Sequence, residues 1–214
     1  MKKLFPVLVI LIAALVYFLF QSPPDTDQRK ITGLPWQIEL LANGHVRVFG
    51  IELGKDTLGN VKTVLGDDVE LAIISPDNEK AGLEIYYRNF KAGILSGKLV
   101  VVADMDQTRL LAMRSRGVRK GGENRFRLHP DDFPAVWSTK VKSLTFIPLV
   151  KLDQEVAILR FGKPSEIIAD KNMTHLLYSK KGLDIILYKK GKDVLQYVAP
   201  KDFASLRAPL GSLQ

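Results

Sequence analysis

The sequence predicts an α+β protein: an N-terminal transmembrane helix followed by two repeated units, each a short helix packed on an antiparallel β-sheet. Three observations carry this expectation. Leu4 to Phe20 is an unbroken apolar run, preceded by Lys2 and Lys3 and closed by Gln21-Ser22-Pro23-Pro24. From Leu34 onward, short apolar segments alternate with glycine-containing turns, the pattern of antiparallel strands. The order strand, short helix, glycine, several strands also occurs twice, about 95 residues apart.

At about 1.5 Å per residue the apolar run reaches roughly 25 Å, the short end of what crosses a hydrocarbon core. Signal cleavage needs small residues one and three positions before the cut. The exit Phe18-Leu19-Phe20-Gln21-Ser22-Pro23-Pro24 offers only Ser22, so retention is expected. Lys2 and Lys3 lie on one side, whereas Asp25 and Asp27 offset Arg29 and Lys30 on the other, which keeps the N-terminus cytoplasmic. The expected location is therefore a bacterial inner membrane, crossed once, with the C-terminal domain in the periplasm. The expected segments are 1–21 for the cytoplasmic N-terminus and anchor, 22–33 for a linker, and 34–104 for the first α+β unit. A basic helical connector at 105–128, the second unit at 129–200 and a tail at 201–214 follow. The absence of cysteine excludes lipoprotein attachment, disulfides, cysteine-ligated zinc and a thiol nucleophile.

Within the first unit, Trp36–Leu41 and His45–Ile51 flank Asn43-Gly44, a dipeptide suited to a tight hairpin turn. Thr57 can cap a helix carrying Leu58, Val61, Val64 and Leu65 on one face, with Gly66 as its stop. Val69–Ser75, Leu83–Arg88 and Lys98–Ala103 read as strands, and Gln107–Arg116 as a helix. In the second unit, Lys142–Leu149 reads as a strand and Asp153 caps a helix with Val156, Ile158 and Leu159 that runs to Phe161-Gly162. Strands are expected at Glu166–Ala169, His175–Ser179, Leu183–Tyr188 and Val194–Val198, and a helical turn at Asp202–Arg207. Placing Gly66 on Gly162 also places Ile51 on Ile147, Leu53 on Leu149 and Leu65 on Phe161. The expected buried helix residues are Val61 and Leu65 in one unit, and Val156, Leu159 and Phe161 in the other.

Each half, with a helix ending Leu65-Gly66 or Phe161-Gly162-Lys163-Pro164 followed by a meander that includes His175-Leu176-Leu177-Tyr178, resembles the SmpA/OmlA family of small envelope proteins. The resemblance implies a β-lactamase-inhibitor-like fold, an envelope protein partner and no catalytic residues. The chain departs from that family in having no lipidated cysteine, an apolar N-terminal run instead and two units.

An enzymatic reading rests on Leu99–Thr108, where an apolar strand delivers Asp104-Met105-Asp106-Gln107-Thr108. This resembles the first motif of haloacid-dehalogenase-type phosphatases, which implies Asp104 as nucleophile, Asp106 as proton donor and a magnesium ion. Gln107 and Arg109 depart from that motif, and the strands that follow read as hairpins rather than βαβ units. The competing reading makes Asp104 or Asp106 a helix cap. His45, His129 and His175 are far apart, and only His129 has carboxylates nearby, Asp131 and Asp132, which also suit capping. No phosphate-binding loop or dinucleotide fingerprint is present, and no cofactor is expected.

The formal net charge is +8, of which Lys2 and Lys3 contribute two. Arg109, Arg114, Arg116, Arg119, Lys120, Arg125 and Arg127 fall in one stretch containing a single acid, Glu123. Such a cluster suits an anionic partner, including anionic lipid or cell-wall polymer. Nucleic acid is not expected on the periplasmic side of a membrane. The sequence thus points to a membrane-anchored binding or scaffolding protein of the envelope, not an enzyme.

Overall fold

The Asn43-Gly44 signal produces its hairpin. Strands β1 (Glu39–Leu40) and β2 (Val46–Val48) pair antiparallel, and β3 (Ile51–Glu52) returns along β2 to complete a three-stranded sheet. The β2–β3 turn is the two-residue Phe49-Gly50, with φ of 54° and 82°. Positive φ at both positions matches the twist of the flanking strands, but phenylalanine rarely adopts it. Phe49 is held there by edge-on contacts with Phe90, Phe146 and Tyr197, at centroid distances of 5.2, 5.7 and 5.7 Å. This aromatic knot joins the small sheet to a much larger one.

Residues 32–76, 80–120 and 124–212 are described by the computed structural model. After α1 (Leu58–Leu65) come β4 (Glu70–Ile74), β5 (Gly82–Ala92), β6 (Leu95–Ala103) and α2 (Gln107–Arg116). Then β7 (Val118–Arg119), β8 (Arg125–Arg127), α3 (Phe133–Trp137) and β9 (Val141–Pro148) follow. The last part holds α4 (Gln154–Phe161), β10 (Glu166–Ala169), β11 (Met173–Tyr178), β12 (Leu183–Tyr188), β13 (Val194–Val198) and α5 (Ala204–Arg207). All ten strands from β4 onward form one antiparallel sheet in the order β10-β11-β12-β13-β9-β6-β5-β4-β8-β7. One face carries the core, with Leu83, Ile85, Leu99, Val101, Leu144, Phe146, Leu183, Ile185, Leu195 and Tyr197 buried. The Tyr197 hydroxyl donates to the Pro35 carbonyl at 3.1 Å, which ties the first described turn to β13. The other face is covered near β10 and β11, where Leu210 and Phe203 pack on Ile168 and Leu177 and Arg207 clamps Glu166 at 2.7 and 2.8 Å. Over β4, β5, β6 and β9 that second face is half-exposed.

Helix limits follow the expected chemistry. Thr57 and Asn60 form a reciprocal capping box on α1, Asp106 accepts from the Arg109 amide on α2 at 2.9 Å, and Asp153 accepts from the Val156 amide on α4 at 3.0 Å. Gly66 and Gly162 end α1 and α4 with φ of 95° and 83°.

The expected architecture is corrected in three respects. First, among the described residues no helix is long and apolar enough to cross a membrane. The longest described, α2, has 10 residues, about 15 Å and roughly half a hydrocarbon core. The segment expected to cross, Leu4–Phe20, lies outside the described residues. Second, the two halves do not form separate sheets. β9 hydrogen-bonds along both edges, to β13 on one side and β6 on the other, so each meander removes an unpaired edge from its neighbour. Third, the buried face of α4 is not the expected one. Phe161 sits 6.1 Å from both the Trp36 and Tyr178 rings and sets the rotation of the helix. Ala157, four residues earlier, lies beneath with it, while Val156 and Leu159 turn outward at 52% and 79% exposure. Val61 is buried as expected, whereas Leu65 is half-buried.

Candidate functional site

Where β4 pairs with β5 and β8, strand alternation aims Glu70, Ala72 and Ile74, then Glu84, Tyr86 and Arg88, and finally Arg125 toward the half-exposed face. Two cavities open side by side there, about 190 and 290 Å³, and share Ala72 and Arg125 as their common wall. Lys120, Phe126 and Arg127 close the first, and Glu84, Tyr86 and Arg88 the second. Ala72, Ile74 and the Tyr86 ring give the groove an apolar floor with charged rims, whereas Leu71 and Phe126 alternate toward the core face, where Arg114 lies over the Phe126 ring.

Its charge is unbalanced. Arg88, Lys120, Arg125 and Arg127 face two carboxylates, Glu70 and Glu84. Glu70 lies between Arg88 at 2.6 Å and Arg125 at 3.3 Å, and the hydrogen bond from Arg88 holds its carboxyl below the usual range. Burial pushes Glu84 the other way, against the attraction of Arg125. The Arg125 Nε is buried and has no hydrogen-bond partner, although the guanidinium is paired through its outer nitrogen. A guanidinium presents five donors in a planar fork, and it is the part-exposed outer end of Arg125, not the enclosed Nε, that a carboxylate or phosphate in the groove would meet.

The seven basic residues singled out by the sequence separate in space. Lys120, Arg125 and Arg127 line the groove. Arg114 and Arg119 lie over the Phe126 ring, 4.7 and 5.9 Å from its centroid, and Arg119 also donates to Asn124. Arg116 pairs with Asp132, which is almost fully buried. Arg109 stands exposed in the first turn of α2 and lines neither cavity. Sequence reasoning missed Arg88, Glu70, Glu84 and Tyr86. The available signal was the spacing Glu84-x-Tyr86-x-Arg88, which places three cavity-lining side chains on one strand face.

The phosphatase candidates occupy a different setting. Asp106 is engaged as the α2 cap, and Asp104 is exposed at the end of β6. Both neighbours of β6 are antiparallel to it, whereas the resemblance to haloacid-dehalogenase-type enzymes requires a parallel sheet. His129 accepts from the Asp131 amide and begins the turn before α3. Among the described residues no group of three or more metal-ligating side chains comes together. His175 and Asp184 form a buried pair at 2.8 Å on the second sheet face, and His175 Nε2 and Asp184 Oδ1 have no other hydrogen-bond partner.

Comparison with protein-family models, with curated proteins and with solved structures returns no match.

Proposed function

We propose that the protein is a non-catalytic binding or scaffolding module of the bacterial envelope, and that the Arg125 groove takes an acidic segment of a protein partner. The observation that carries this reading is the excess of cations, Arg88, Lys120, Arg125 and Arg127 against Glu70 and Glu84, around two cavities that share Arg125 as their wall. Tyr86 supplies apolar contact beside the charge, which suits a peptide better than an inorganic anion. Placement at a membrane is supported by the apolar run Leu4–Phe20, and a periplasmic side by the charges flanking it.

Anisotropy with a fluorescent Asp/Glu-rich peptide and the full-length protein tests the groove. Arg125→Glu and Arg88→Glu each weaken binding by more than about tenfold, since they place a carboxylate against the acidic segment. Arg109→Glu leaves it unchanged, and Glu84→Gln strengthens it. Equal binding by the wild type and Arg125→Glu would remove the groove from the function. Separation of membranes from the soluble periplasmic fraction tests the location, which fails if the full-length chain is recovered only in the soluble fraction.

A further inference from the structure

We propose that one end of the ten-stranded sheet is a docking surface for an anionic lipid bilayer. It is separate from the Arg125 groove and rests on its own observations. Three loops are brought together at this end. The β5–β6 turn is the two-residue Gly93-Ile94, closed by the Ala92–Leu95 pair. The connection from β9 to α4 begins Leu149-Val150-Lys151, and its Leu149 amide donates to the Ser96 carbonyl on β6 at 2.9 Å. The β12–β13 turn, Lys189-Lys190-Gly191-Lys192, reaches the same connection, where Lys192 Nζ donates to the Leu149 carbonyl at 3.1 Å.

The residues exposed here are unlike ordinary turn residues. Gly93 takes φ of 63° at the first turn position, which leaves Ile94 at the second, a place where asparagine, serine or aspartate is usual. Ile94 is instead 69% exposed, and Leu149 and Val150 are 56% and 50% exposed. Around them Lys91, Lys189, Lys190 and Lys192 are exposed. Of the neighbouring acids, Asp193 is buried, pairs with Lys151 and accepts from the Leu152 and Tyr188 amides, and Asp153 caps α4. Asp170 accepts from the Asn172 and Met173 amides in the adjoining β10–β11 turn. Asp68 beside Lys91 and Glu155 on α4 stay exposed, and the lysines at this end outnumber those two. Apolar tips within a ring of lysines fit the boundary between acyl chains and anionic headgroups, where aliphatic side chains insert about 5–10 Å. Each lysine at such a surface strengthens binding about fivefold.

The course of the chain points the same way. A Cβ built on Gly33 would lie 3.9 Å from the Gly93 nitrogen, so the described chain begins beside the β5–β6 turn. The sequence that precedes it contains the apolar run Leu4–Phe20. A bilayer is therefore the occupant that matches the charge, the apolar tips and the end at which the chain enters the fold.

The chain has no cysteine, so single cysteines report position directly. Full-length Ile94→Cys, Val150→Cys and Lys180→Cys proteins, each carrying an environment-sensitive fluorophore, are mixed with vesicles of phosphatidylglycerol and phosphatidylcholine. Lys180 belongs to the β11–β12 turn at the opposite end of the sheet. The expected result is a blue shift at positions 94 and 150, with about a fivefold loss of quenching by aqueous iodide, and no change at 180. Combined Lys189→Glu, Lys190→Glu and Lys192→Glu substitution, or vesicles of phosphatidylcholine alone, abolishes the shift. Labels at 94 and 180 that remain equally accessible to iodide would overturn the proposal. Protection at 94 that persists in neutral vesicles or in the triple-glutamate protein would overturn its anionic character.

Discussion

Helices α1 and α4 hold matching places in the sequence, and their local chemistry is nearly the same. Each has eight residues, an N-cap side chain bonded to the amide three residues on, and a terminal glycine with positive φ. Their packing differs sharply. Leu58 and Val61 of α1 are fully buried, and Lys62 lies over the Trp137 ring at 5.4 Å. α4 buries Ala157 and Phe161 while leaving Val156 and Leu159 in solvent. The preceding strands explain the contrast: β3 belongs to the small sheet and leads into buried Leu53, whereas β9 is a central strand of the large sheet and leads into exposed Leu149. Repeated local signals therefore specify the helix and its ends, while the layer into which the helix packs is set by the long-range pairing of the strand before it.

If that contrast is right, α4 depends on one side chain. Phe161→Ala should cost about 3–5 kcal/mol, because it removes a buried ring and its contacts with Trp36 and Tyr178. Leu58→Ala on α1 should cost about 2–5 kcal/mol. By contrast, Leu159→Ala should fall within about 0.5 kcal/mol of the wild type. Urea midpoints at an unchanged slope read all three, and comparable losses at 58 and 159 would mean that the two helices are packed alike after all.

The seam between the halves is the next place to break. At Gly97 on β6, an added Cβ would come within 2.5 Å of both the Ile147 carbonyl oxygen and the Phe146 ring of β9. The carbonyl belongs to the paired backbone and cannot swing away, so Gly97→Ala should cost about 1–3 kcal/mol by overpacking. Amide exchange should speed on both sides of the β6–β9 contact rather than in one half alone. An effect confined to residues before β9 would restore two independent units.

Much of the local structure was legible in the sequence, because its causes are local. Thr57 and Asp153 mark helix starts, the choice between Asp104 and Asp106 falls on Asp106, and Glu166–Ala169, Leu183–Tyr188 and Val194–Val198 are strands with the expected limits. The double pairing of β9 was not legible, since nothing in Lys142–Leu149 distinguishes an edge strand from a shared central one. β7 and β8 were hidden within the basic stretch because Val118-Arg119 and Arg125-Phe126-Arg127 are too short and too charged to show apolar alternation. The groove was half visible for the same reason: Arg125 and Arg127 stood out by charge, but Glu70 and Arg88 join them only through the pairing of β4 with β5 and β8.

Acid titration sharpens the comparison electrostatically. Hydrogen bonding by Asn43, with support from Lys55 and His45, lowers the Glu52 pKa to about 2. A carboxylate with a depressed folded-state pKa contributes stability above its ordinary value, and that contribution is lost as pH falls through the folded value. The loss for Glu52 should thus extend from about 4.5 down to about 2. In the second half Glu166 is also lowered by its hydrogen bond with Arg207, but its side chain is 40% exposed. Glu52→Gln should flatten the acid limb of the stability curve more than Glu166→Gln, as followed by urea midpoints across that range. A larger flattening from Glu166→Gln would place the main acid-labile contact in the second half.

The smallest effects are expected at the aspartates between the halves, where they separate capping from chemistry. Asp106 accepts from the Arg109 amide, and asparagine accepts about as well at an N-cap, so Asp106→Asn should leave stability nearly unchanged. Asp106→Ala should cost about 0.5–2 kcal/mol, in line with loss of the cap. Asp104 is exposed and makes no side-chain cap, so Asp104→Asn should also be silent. A phosphatase would respond differently: removing an aspartate nucleophile abolishes turnover while the fold persists. With magnesium and a phosphomonoester at neutral pH, neither the wild type nor Asp104→Asn should release phosphate. Release by the wild type that disappears in Asp104→Asn would make this turn an active site and reduce the Arg125 groove to a feature of the surface.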